Sequence, residues 1–134
     1  MKKLVKRQEG FYKNLLNHGL SIIPIKEFEQ KDGEKNHKPN VLSWKKYSEE
    51  AAKEYEFVNW YNDVNTVSFG LLTGFNDLEA IDIDSKILPT KKDRDNFLKE
   101  YFSLLENHID DFYKKVCIVK TQSGGFHILY KSKS

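Results

Sequence analysis

The sequence predicts an α/β (α+β) domain in which a mixed or antiparallel sheet is packed by helices. Three observations predict it. Apolar runs rich in β-branched residues recur along the chain, at Ile22-Ile23-Pro24-Ile25, Val67-Ser68-Phe69, Ile81-Asp82-Ile83 and Val116-Cys117-Ile118-Val119. Stretches of helical period lie between them. Near the end, Gly124-Gly125 separates two β-prone runs as a hairpin turn does. A length of 134 residues fits a single domain with a real core.

The elements follow in order. Residues 3–17 place Leu4, Phe11, Leu15 and Leu16 near one helical face, and Gly19 suits the C-terminal cap. Residues 21–25 form a strand that Pro24 assigns to an edge or to its own end. Residues 27–40 are charged and polar, contain Gly33 and Pro39, and read as a loop. A second helix is predicted from about residue 48 to 61, with Ala52, Tyr55, Val58 and Trp60 facing inward. Residues 66–72 and 78–82 are strands joined by the turn formers of Thr73-Gly74-Phe75-Asn76-Asp77. Pro89 suits the first turn of a helix running towards His108, whose stripe of Phe97, Tyr101, Leu104 and Leu105 belongs to the core. Residues 116–121 and 126–130 are the strands of the hairpin.

Chemistry concentrates at two places. In Leu78-Glu79-Ala80-Ile81-Asp82-Ile83-Asp84, strand alternation turns the isoleucines inward and Asp82 and Asp84 outward on one face. At a rise of about 3.3 Å per residue their Cα atoms lie roughly 6.6 Å apart, close enough to converge on one or two divalent cations. In Ser123-Gly124-Gly125-Phe126-His127, the glycines permit a tight turn that exposes backbone N–H groups. His127, just past that turn, is placed to donate to a phosphate oxygen. Together these residues suggest a site for a nucleotide triphosphate and its metal.

Composition narrows the setting without naming an activity. The net charge of +2 makes bulk charge a weak argument for nucleic-acid binding. Lysines do cluster: Lys35, Lys38, Lys45 and Lys46 surround Trp44, while Lys114, Lys115, Lys120, Lys131 and Lys133 surround the hairpin. Of these, Lys38, Lys45, Lys46 and Lys120 are candidates to track a nucleic-acid backbone. Trp44, Tyr47 and Phe126 are candidates to stack on bases, although core packing suits Trp44 equally well. Cys117 is the only cysteine and reads as a small buried hydrophobe. No zinc-finger spacing, membrane-length apolar run or signal-peptide pattern occurs, which gives a cytoplasmic expectation.

The two motifs, in this order, resemble the N-terminal prim-pol domain of bifunctional DNA primase/polymerases. That domain belongs to the archaeo-eukaryotic primase superfamily and occurs in replication proteins of plasmids, phages and other mobile elements. The likeness extends from Phe11 to Tyr130. It takes in Gly19-Leu20-Ser21-Ile22-Ile23-Pro24-Ile25, Lys38-Pro39, Ser43-Trp44-Lys45-Lys46-Tyr47, Trp60 and Gly70-Leu71-Leu72-Thr73-Gly74. The resemblance implies a sheet like that of an RNA-recognition motif and Mg²⁺ or Mn²⁺ held by Asp82 and Asp84. It also implies that His127 meets the nucleotide's phosphates, with Ser123, Gly124 and Gly125 shaping their pocket. The implied partners are nucleotide triphosphates, a DNA template and primer, and a helicase domain or subunit. One departure stands out. The family takes a third acidic residue from a strand beyond the hairpin, and the 134 residues stop short of one, as the front portion of such a domain would. Asp77, Glu79, Asp110 and Asp111 are not placed to replace it. A two-metal site with two protein carboxylates is expected to hold its second cation weakly. A shortened relative that binds nucleotide or single-stranded DNA without polymerising is therefore the alternative.

Overall fold

The computed structural model describes residues 6–84, 88–121 and 124–133. Leu4 and Ser123, both assigned above, lie outside the described residues. The fold is mixed α+β with two small antiparallel sheets. The chain, read above as one domain, divides into two compact units, Met1–Asn76 and Asp77–Ser134. No helix among the described residues is long and apolar enough to cross a membrane.

The first unit is built around one central strand. Helix α1, Lys6–Asn17, ends as the sequence predicts, with the Gly19 and Leu20 N–H groups donating back to the Leu16 and Leu15 carbonyls at 3.1 and 3.2 Å. Strand β1, Ile22–Glu29, lies between β2, Lys35–Pro39, and β3, Ser68–Leu71. Consecutive isoleucines on β1 point to opposite faces and anchor two clusters. Ile22 packs with Phe57, Tyr61 and Phe69, and Ile23 with Tyr47, Ala52 and Trp60.

Several expectations are corrected here. Residues 27–40 are not a loop. They form most of a hairpin whose two strands pair from Ile25↔Pro39 to Glu29↔Lys35. Pro24 sits inside the central strand rather than at an edge. Its carbonyl accepts from the Asn40 N–H at 2.8 Å, so its nitrogen faces the same side, just past the end of β2, where the missing N–H removes only a terminal bond of the ladder. Helix α2 is Glu54–Asn62, shorter than predicted, and a separate 3₁₀ turn covers Lys45–Ser48. The Glu56 carboxylate accepts the Lys53 N–H at 3.1 Å and fixes the later start. Its inner face is Phe57, Trp60 and Tyr61, whereas Tyr55 is 64% exposed.

The second unit is a three-stranded sheet with helices on one face. Strands β4, Leu78–Ile83, β5, Val116–Lys120, and β6, Phe126–Lys131, run in the order β4-β6-β5. Helix α3, Lys91–His108, starts at Thr90, whose hydroxyl accepts the Asp93 N–H at 3.1 Å; Pro89 therefore precedes the cap instead of entering the first turn. The stripe that packs is Leu98, Tyr101, Phe102 and Leu105, and Phe97 and Leu104 are exposed. These side chains, with Phe112 of the short helix α4, Phe112–Lys115, cover Ile81, Ile83, Ile118 and Ile128. Cys117 is exposed rather than buried, because strand alternation turns it away from the Ile118 side.

Candidate metal and nucleotide site

The alternation predicted for the Asp-x-Asp strand holds. Ile83 is buried against Phe112 and Ile128, and Asp82 and Asp84 are exposed. What brings the histidine to them is register. Strand β6 pairs with β4 so that Ile83 faces Phe126 and Asp82 faces His127, and directly opposed side chains in an antiparallel pair share a face. The His127 imidazole Nε2 lies 3.3 Å from the Asp82 carboxylate. Asp84 follows immediately after β4. Asp82, Ile83, Asp84, Thr121, Gly125 and His127 line one cavity of about 260 Å³.

The hairpin loop is fitted to this strand by its second glycine. A Cβ on Gly125 would stand 2.3 Å from the Ile83 carbonyl oxygen, so no side chain fits while β4 and the loop keep their spacing. Gly124, at φ +90°, supplies the left-handed residue that such a loop needs. Thr121 closes the loop. Its N–H donates to the Gly125 carbonyl at 2.9 Å, its carbonyl accepts the Gly124 N–H at 3.1 Å, and its hydroxyl accepts the Gly125 N–H at 2.9 Å. Both glycine N–H groups expected to face a phosphate are thus engaged by Thr121. The sequence reading passed over Thr121; its signal was a hydroxyl residue at the start of a short Gly-Gly loop.

The charged and aromatic candidates separate into those near this cavity and those elsewhere. Lys120 pairs with Phe126, so strand alternation assigns it to the face opposite Asp82 and His127. Phe126 belongs to the core, with its ring 5.7 Å from that of Phe102, and is not a stacking surface. Lys38, Lys45, Lys46, Trp44 and Tyr47 belong to the first unit. There Trp44 is 44% exposed and Tyr47 is buried.

Tyr47 anchors a polar cluster that the sequence did not reveal. Its hydroxyl donates to Glu56 at 2.5 Å, and Lys46 lies 3.6 Å from the same carboxylate and 4.8 Å above the Tyr47 ring. Burial pushes the Tyr47 phenol up, and the Glu56 carboxylate adds to this. Burial also pushes Glu56 up, but the Tyr47 hydroxyl, the Lys53 N–H and the Lys46 charge outweigh it and hold the carboxyl below its usual value. Lys46 is thereby committed to Glu56 and Tyr47. Lys45 is exposed beside it.

The donor set decides which metals fit. Glu79 lies on the opposite face from Asp82 and accepts the Tyr130 hydroxyl at 3.0 Å, while Asp111 takes a left-handed conformation with Lys114 at 4.0 Å. Among the described residues no cluster of three or more His, Cys, Asp or Glu side chains is arranged to hold a metal ion. Two exposed carboxylates suit a hard cation such as Mg²⁺ or Mn²⁺ whose remaining positions are filled by water and substrate phosphates, and do not suit a closed structural site. Comparison with protein-family models, curated proteins and solved structures finds no match for this chain.

Proposed function

We propose that this chain carries the nucleotide site of a DNA primase/polymerase resembling the prim-pol domain, which joins nucleotides to a primer on a DNA template. The observation that supports it most is the pairing of Asp82 with His127, with Asp84 two residues on in the same cavity. Asp82 and Asp84 would hold Mg²⁺ or Mn²⁺. A metal held there would lower the pKa of the 3′-hydroxyl that attacks the nucleotide's α-phosphate and would stabilise the charge that develops as pyrophosphate leaves. His127, one strand away, is within reach of a phosphate carried on those carboxylates and would donate to it from an imidazole N–H. Thr121 and Gly125 hold the start of β6 against β4, which keeps the imidazole level with Asp82. Ser123 is assigned to the phosphate pocket by resemblance alone. A cytoplasmic setting and a helicase in the same polypeptide or complex belong to the same reading.

Extension of a labelled primer with nucleotides and Mg²⁺ or Mn²⁺ tests it. The parent chain should extend the primer, and Asp82→Asn, Asp84→Asn or His127→Ala should each reduce extension at least a hundredfold. Extension that survives loss of both carboxylates overturns the proposal. A second reading, nucleotide binding without synthesis, is favoured by the number of carboxylates facing the cavity among the described residues. It predicts metal-dependent nucleotide binding, lost in the Asp82→Asn/Asp84→Asn variant, with no extension by the parent.

A further inference from the structure

Strand β1 is longer than its partnership with β3. Pairing to β3 ends at Ile25↔Ser68, while pairing to β2 continues to Glu29↔Lys35, so the outer part of this hairpin is a two-stranded arm. Its base is tied down: the Asn40 amide donates to Asp63 at 3.3 Å and to Thr66 at 3.1 Å.

The two faces of the arm differ in chemistry. One carries Glu27 opposite His37, 3.7 Å apart, and Glu29 opposite Lys35, so each acid faces a basic partner. On the other face Lys26 stands directly opposite Lys38, next to Phe28 opposite Asn36. Two like charges at directly opposed positions destabilise a ribbon. Among the described residues no carboxylate pairs with either lysine. Lys38 instead places its ammonium 4.8 Å from the centre of the Phe28 ring. An anion bound between the two lysines relieves their repulsion, and an aromatic ring beside them offers a surface for a flat group attached to that anion.

We propose that this face of the arm binds a single strand of DNA, with Lys26 and Lys38 neutralising backbone phosphates and Phe28 stacking on a base. A phosphate with a base about one residue away along the backbone matches the lysine pair and its neighbouring ring. Acidic polypeptides also carry the charge, but lack the base. The choice of DNA rests on the function proposed above; the chemistry of the arm does not depend on the carboxylates of the second unit.

Fluorescence anisotropy of the full chain with labelled oligo-dT, in EDTA and over a range of salt concentrations, tests the arm independently of any metal-dependent reaction. Lys26→Gln/Lys38→Gln should flatten the slope of log K against log salt by about 1.4, at about 0.7 per phosphate contact on a single strand. Phe28→Leu should weaken binding about tenfold and leave the slope unchanged. Lys35→Gln removes the same kind of charge from the opposite face and should leave the slope near that of the parent. The proposal is overturned if the double-lysine variant keeps the parent's slope, if Lys35→Gln flattens it as much per lysine, or if polyglutamate competes as well as oligo-dT. Primer extension by a parent chain whose oligo-dT binding does not depend on Lys26 and Lys38 sinks this inference alone, and arm-dependent oligo-dT binding without extension sinks the catalytic reading alone. Circular dichroism of each variant guards against a misfolded arm, and the Lys35→Gln control shares any such fault.

Discussion

The two hairpins share a loop design and differ in what lies beside them. In the first, the Gln30 N–H donates to the Glu34 carbonyl at 2.8 Å and the Gly33 N–H to the Gln30 carbonyl at 2.9 Å, with Gly33 at φ +85°. In the second, Thr121, Gly124 and Gly125 repeat the pattern, with Gly124 at φ +90°. The residue after the left-handed glycine is Glu34 in one and Gly125 in the other. Strand β4 runs alongside the second loop and leaves no room for a Cβ, while the first loop ends an arm that only two strands form. A third strand turns a tolerant position into an obligatory glycine, and in the same place it brings Asp82 beside His127.

The comparison extends to two opposed histidine and carboxylate pairs, His37 with Glu27 and His127 with Asp82. The second pair lines a cavity together with a further carboxylate, Asp84. Substoichiometric Mn²⁺ should therefore broaden the His127 imidazole resonances beyond detection and leave those of His37 sharp. Asp84→Asn should restore the His127 signal. Equal broadening of both histidines would break the distinction.

The loops themselves give the next largest effect. Gly125→Ala should cost about 2–3 kcal/mol in urea denaturation, because the new methyl group must displace the Ile83 carbonyl or the loop. Glu34→Ala, at the matching position of the first hairpin, should stay within about 0.5 kcal/mol. Equal costs would mean that the close approach of β4 does not control the second loop.

The second hairpin was legible in the sequence and the first was not, for one physical reason. Strands β4, β5 and β6 bury one face, so Ile81, Ile83, Ile118 and Ile128 mark a period of two and leave Asp82 and His127 outward. The arm buries neither face beyond Ile25, so Lys26 to Lys38 show no apolar alternation and imitate a loop. Its strands are specified by backbone pairing and by Gly33. Trp60 of α2 and Tyr101 and Leu105 of α3 pack inward as expected, whereas Tyr55, Val58, Phe97 and Leu104 are exposed, because aromatic and apolar residues occur on the outer sides of these helices as well. The pairing of Asp82 with His127 depends on register across 45 residues of chain, which no local pattern encodes.

Thr121→Val removes the acceptor of the Gly125 N–H in a half-buried loop, where water does not readily replace it, and should cost about 1 kcal/mol. It should also lower primer extension if the start of β6 positions His127.

The smallest effect belongs to the corresponding bond of the first hairpin. There the Glu34 N–H donates to the Asp32 carboxylate at 3.0 Å, the same N–H position that Thr121 serves in the second loop. Both residues are exposed, so water replaces the lost acceptor at little cost. Asp32→Ala should leave the denaturation midpoint unchanged and speed exchange of the Glu34 amide hydrogen by about twofold, a local opening of the arm tip. A shift of the global midpoint as large as that of Thr121→Val would show that the arm is coupled to the core of its unit. The contrast between a free-standing ribbon and a supported one would then fail at its simplest point.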